Sequence, residues 1–139
     1  MPISPHLRRQ VVQRARERCE YCGLTQAGQE ATFHIDHVIP LGRRRRTTLD
    51  SLALACVSCS LRKGARQGTA DPGDGSEVEL FNPRRDTWSQ HFAWNGTEVI
   101  AHTPTGKGTI VALQLNRPAV RAIPFEELLR GRHPPALND

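Results

Sequence analysis

Of the 139 residues, 37% are hydrophobic and 5% aromatic, which suits one compact domain, or one small domain with an appendage, whose modest core gains from a staple. No apolar run nears bilayer length and no apolar leader segment opens the chain, so a membrane or exported protein is not expected; the expected place is the cytoplasm, where cysteines stay reduced. The net charge of +5 is lopsided, with 12 basic and 5 acidic side chains in residues 1–66 against 7 and 9 in residues 67–139. Such a basic half attracts polyanions, nucleic acid first among them, and 17 of the 19 cations are arginine, whose planar fork grips phosphate.

Ser4-Pro5 reads as an N-cap followed by a first-turn proline. Leu7, Val11, Val12, Ala15 and Cys19 follow at helical spacing, with Arg8, Arg9, Arg14, Arg16 and Arg18 on the other face. An arginine-rich amphipathic helix is therefore expected to deliver Cys19. Cys19 to Gly23 is a tight knuckle, and Gly23 suits a positive φ. Ala31 to Ile39 is rich in β-formers and reads as a strand that breaks near His37 and stops at Pro40. Residues 41–48 read as a loop, Leu52 to Ala55 as a strand or a helix edge, and Cys56 to Arg66 as a helix ending near Gly64.

Residues 67–76, rich in Gly, Pro and Asp, read as a connecting loop between a core at 1–66 and a C-terminal extension at 77–132. In the extension, Val78 to Phe81 is extended and Phe92 to Ala101 is a hairpin with an Asn95-Gly96 turn. Helices are expected at Thr109 to Leu115 and over part of Pro118 to Leu129, with a flexible tail at 133–139. Trp88 and Trp94 either stack on bases or pack the hairpin core, and packing is the expected role. His91 lies between them with no chemical role assigned.

The only cysteines form two C-x-x-C pairs, Cys19/Cys22 and Cys56/Cys59, separated by 33 residues. A two-residue gap lets both thiolates of a knuckle face one ion, so two such pairs read as one closed, structural Zn²⁺ site with four thiolate ligands. A redox C-x-x-C and a pair of disulfides are the alternatives. Redox motifs usually come singly, near a βαβ pattern that is missing here. The long gap means that the metal closes a loop containing Asp36 and His37, and orders that loop on folding.

A carboxylate beside an imidazole at a strand end is more often structural when alone, but together with phosphate-binding arginines it is the minimum kit for phosphodiester hydrolysis. Asp36 can hold a hard cation such as Mg²⁺, and His37 can deprotonate a water near neutral pH. Arg43, Arg44, Arg45 and Arg46 follow in the next loop, and Arg62, Lys63 and Arg66 follow the fourth cysteine. The four arginines are expected to contact phosphate rather than form a solvated loop, with Arg62 and Lys63 also at the nucleic acid and Arg66 extending the same basic field.

Cys-x-x-Cys, a strand ending in Asp-His-x-x-Pro, a leucine-rich piece, then Cys-x-x-Cys-x-x-x-Lys resembles the HNH endonuclease family over about residues 19–64. The stretches Leu80 to Trp94 and Thr103 to Pro118 are also similar to the C-terminal extension of one bacterial subgroup. The resemblance implies an α+β fold: a small ββα-metal core with zinc knuckles from the two C-x-x-C pairs, an N-terminal helix and a C-terminal hairpin-plus-helix extension. It implies a metal-dependent endonuclease acting on DNA, with His37 as general base and Asp36 as ligand of a catalytic divalent ion. It also implies products with 5′-phosphate and 3′-hydroxyl ends.

His34, two residues before Asp36, shares its strand face and either touches substrate or metal or packs beside the strand. The family's Asn that braces the base-carrying loop is Ser51 here, and its last metal-completing Asn or His is Ser60. The resemblance therefore carries the ion to Asp36 and Ser60, with His34 and Ser51 in support. A second reading is a zinc-stapled nucleic-acid-binding module of the same fold, with hydrolysis weakened or lost at those two serines.

Overall fold

A computed structural model describes residues 3–27, 29–38, 47–118 and 131. The chain divides into two compact units, Met1–Ala65 with Asn82–Arg85, and Arg66–Phe81 with Asp86–Asp139.

The first unit begins with α1, Pro5–Arg14. Ser4 caps it as expected, its Oγ accepting from the Leu7 N–H at 3.1 Å, and Pro5 occupies the first turn. The helix does not run on to Cys19. Arg16 and Glu17 take left-handed φ values of 55° and 59°, and the chain turns there before entering the first knuckle. Nor do all its arginines face water. Arg14 donates to the Leu49 and Leu52 carbonyls, and Arg8 donates to the Phe33 carbonyl at 2.8 Å. The basic face thus donates to backbone carbonyls of the segments around both strands of this unit.

Strand β1, His34–His37, pairs antiparallel with β2, Leu52–Ala55, in the register His34↔Ala55 to His37↔Leu52. β1 is shorter than the β-forming run of residues 31–39. Upstream, the Gln26 side chain takes over, its Oε1 accepting from the Phe33 N–H at 2.8 Å and its Nε2 donating to the Ala31 carbonyl at 3.0 Å. The pairing of β2 with β1 makes 52–55 a strand rather than a helix edge, and all four of its residues are buried. A single 3₁₀ turn, Leu49–Ser51, leads into β2. Helix α2, Val57–Lys63, follows it, with Cys56 as N-cap and Gly64 closing it at φ 55°. Two strands and a helix, with α1 packed on β2, make the small α+β core.

In the second unit, residues 67–76 are more than a connecting loop. Strand β3, Gly68–Ala70, pairs antiparallel with β4, Glu77–Glu79. The Asp71 and Asp74 carboxylates accept from the Gly73 and Ser76 N–H groups and shape the turn. Helix α3, Trp88–His91, precedes the hairpin β5, Phe92–Asn95, and β6, Glu98–Ala101. Because Asn95 pairs with Glu98, the turn residues are Gly96 and Thr97 rather than Asn95 and Gly96.

Helix α4, Pro104–Leu113, starts five residues before the expected Thr109. Gly106 and Gly108 hid its first turns from a propensity reading. A Cβ on Gly106 would lie 2.4 Å from the His91 carbonyl oxygen, and one on Gly108 would lie 2.7 Å from the Thr69 side chain. Both glycines are there for close approach. Trp88 packs on Phe92 and on Trp94 with centroids 5.1 and 5.8 Å apart, and Phe81 meets Phe92 edge-on. His91 Nδ1 lies 2.6 Å from Oγ1 of Thr103, the α4 cap, which gives this histidine a structural place. The expected helix at 118–129, apart from Pro118, and the tail at 133–139 lie outside the described residues.

Candidate active site and metal centre

The sulfurs of Cys19, Cys22, Cys56 and Cys59 all lie within 4.8 Å of one another, and all four residues are buried. No disulfide joins them, and Cys22 and Cys56 bring their Sγ atoms to 3.8 Å. Four sulfurs each about 2.3 Å from a central ion in a tetrahedron lie about 3.8 Å apart, so the spacing is that of a metal centre without a free position. Local backbone builds each half. Cys19 N–H donates to the Leu24 carbonyl and Gly23 N–H to the Cys19 carbonyl, with Gly23 at φ 81°. In the second knuckle, Cys59 N–H donates to Cys56 Sγ at 3.4 Å. Hydrogen bonds from Cys19, Cys22 and Cys59 draw the Cys56 thiol pKa far down, while burial pushes Cys19 well up. The donor set fits a structural metal.

Glu20, between the first two cysteines, ties the knuckle to β2. Its N–H donates to the Leu54 carbonyl at 2.9 Å and its Oε2 accepts from the Leu54 N–H at 2.8 Å. Its other oxygen pairs with the Arg84 guanidinium. Burial raises the Glu20 pKa in spite of that cation.

Asp36 lies on β1 and is 8% exposed. Its Oδ2 accepts from the Tyr21 hydroxyl at 2.8 Å and lies 3.2 Å from the Lys63 ammonium. Lys63 was expected in the basic field with Arg62. It is instead 4% exposed and also reaches the His37 carbonyl at 3.4 Å. Burial first, then the Asp36 charge, pushes the Tyr21 phenol well above its ordinary pKa, so it stays a donor. One face of α2 meets one face of β1 in two contacts. Lys63 reaches Asp36, and Ser60 Oγ lies 2.9 Å from Nδ1 of His34. The i,i+3 spacing on the helix matches the i,i+2 spacing on the strand.

His37 points to the other side of β1, its Nε2 3.2 Å from Thr47 Oγ1. Ser51 braces this loop. Its Oγ donates to the Thr48 carbonyl and accepts from the Thr48 N–H, and its carbonyl accepts from the Val38 N–H at 3.0 Å. Residues on both sides of the His37–Thr47 contact are thereby held. Arg62 contacts Ser58 from an exposed position, and Arg43 to Arg46 lie outside the described residues.

Tyr21 and Thr47 were not singled out in the sequence. Tyr21 carried a signal, being the only tyrosine and enclosed by a C-x-x-C. Thr47 carried none.

Among protein families, residues 19–66 match the one described as HNH endonuclease. Those residues are an HNH endonuclease domain. Neither curated proteins nor solved structures gave a match. The HNH match starts at the first cysteine of the cluster and runs through both knuckles, Asp36, His37 and Lys63. It points to nucleic acid as the class of substrate. No described helix is long and apolar enough to cross a membrane.

The clamp from Tyr21 and Lys63 takes Asp36 Oδ2, and the Ser60 hydroxyl, on His34, belongs to the same helix–strand seam.

Proposed function

We propose that this chain is a metal-dependent HNH endonuclease that hydrolyses phosphodiester bonds of DNA. The observation that carries the reading is the arrangement on β1, with a clamped Asp36 on one face and His37 on the next residue, in a segment matching the HNH family.

In this reading His37 donates its Nε2–H to Thr47, which leaves the Nδ1 lone pair to take a proton from the attacking water. Ser51 keeps the loop that carries Thr47 in register, the task the family gives to an asparagine. Asp36 and Ser60 hold Mg²⁺ or a similar ion, which supplies positive charge at the scissile phosphate and the leaving oxygen. Lys63 balances the charge of the Asp36 carboxylate rather than contacting DNA. Arg62 and the arginines at 43–46 attract the backbone by their charge. Zn²⁺ is the structural ion at the four cysteines.

Supercoiled plasmid, incubated with zinc-loaded protein and Mg²⁺ or Mn²⁺, tests this. The expected result is nicked circles whose ends can be religated, since they carry 5′-phosphate and 3′-hydroxyl groups, and none when the divalent ion is omitted. Salt-sensitive DNA binding with no nicking under either ion would sink the enzyme reading and leave a zinc-stapled binding module.

A further inference from the structure

The Asp36 carboxylate is held by two side chains, one from each half of the cysteine cluster. Tyr21 lies between Cys19 and Cys22, and Lys63 lies on α2 beyond Cys59. Both reach the same oxygen, Oδ2, at 2.8 and 3.2 Å. Tyr21 is 1% exposed, so its ring is fixed by its surroundings and its hydroxyl has one direction in which to donate. A carboxylate with one oxygen pinned in this way presents the other at a set position.

We propose that Tyr21 is a positioning residue for Asp36, transmitting closure of the four-cysteine site to the carboxylate that binds the divalent ion. This rests on the reading of Asp36 as an ion ligand. The cluster is then more than a staple. Closing it places Tyr21, Tyr21 pins Oδ2, and the ion meets a carboxylate already oriented. Lys63 supplies the balancing charge from the other side. With the knuckle open, Oδ2 keeps only Lys63, and the second oxygen loses its set position.

Tyr21→Phe removes a single oxygen. In zinc-loaded protein it is expected to weaken Mn²⁺ binding, followed by the resonance of free Mn²⁺, by about 10-fold or more, as loss of an orienting partner does elsewhere. Zinc content should stay at the wild-type value, which checks the fold. Unchanged Mn²⁺ affinity in a variant with full zinc overturns the proposal.

A second measurement needs no substitution at this position. Tyr21 is the only tyrosine in the chain, so fluorotyrosine incorporation gives one fluorine resonance for this ring. Saturating Mg²⁺ should shift that resonance in the wild-type protein and leave it in place in Asp36→Asn. A resonance indifferent to Mg²⁺ in protein that binds Mn²⁺ through Asp36 also overturns the proposal. Neither readout requires hydrolysis. Ion binding with a responsive Tyr21 but no nicking refutes the nuclease reading alone, whereas absence of any ion binding refutes both.

Discussion

The two units keep their shape by different chemistry. In the first, a buried aliphatic layer with Val11 and Leu52–Ala55 is joined by polar and metal-binding groups: four thiols, the Asp36–Lys63 pair and the Glu20–Arg84 pair, with arginine side chains donating to backbone carbonyls. In the second the buried centre is aromatic and aliphatic, with Phe81, Phe92, Val99 and Leu113 buried around two glycines on α4. A core of hydrocarbon contributes through area removed from water and tolerates the loss of any one ligand or ion. Buried charges and thiols hold their places only while every partner is present. The four-cysteine cluster and the Asp36–His37 pair both lie in the unit that depends most on having its partners in place.

The aromatic residues report on the units separately, since the one tyrosine lies in the first and both tryptophans in the second. The largest expected effect is removal of the structural metal. Structural zinc contributes about 10–16 kcal/mol in small zinc domains, so Cys59→Ala or a strong chelator should unfold the first unit. The fluorotyrosine resonance should move to its free-amino-acid position while tryptophan emission changes little. A Tyr21 that stays buried without metal would break the comparison.

Phe92→Ala tests the other side. Truncating a buried phenylalanine costs about 3–5 kcal/mol, so tryptophan emission should shift at lower denaturant while zinc content stays the same. Gly106→Ala follows at about 1–3 kcal/mol, because the new methyl meets the His91 backbone carbonyl, which has little freedom to move. The smallest effect belongs to Ser51→Ala. Loss of the capping hydrogen bonds to Thr48 should cost about 1 kcal/mol in chemical denaturation. Nicking should fall further than that stability loss predicts, because the loop that carries the partner of His37 loosens.

What could be read in the sequence follows the same division. The cysteine spacing, the Asp36-His37 pair and the cap at Ser4 are local patterns, and each has the expected place in the structure. The Tyr21 contact to Asp36 spans 15 residues and Lys63 to Asp36 spans 27 positions in the chain, beyond what periodicity can see. Lys63 looked like one more cation in a basic run, and only packing against β1 turned it inward. In the second unit, the early start of α4 was hidden because Gly106 and Gly108 serve neighbours 15 and 39 positions away. The left-handed pair Arg16 and Glu17, which ends α1 early, also broke a helical pattern that looked continuous to Cys19.

In the proposed mechanism His37 activates water for phosphodiester hydrolysis. The most direct test of that step is the single-turnover nicking rate of His37→Ala beside wild type, both zinc-loaded, in saturating Mg²⁺. A loss of about 10²-fold or more, the typical weight of a general base, is expected, with zinc content and the Tyr21 and tryptophan signals unchanged. Equal rates in the two proteins would contradict it.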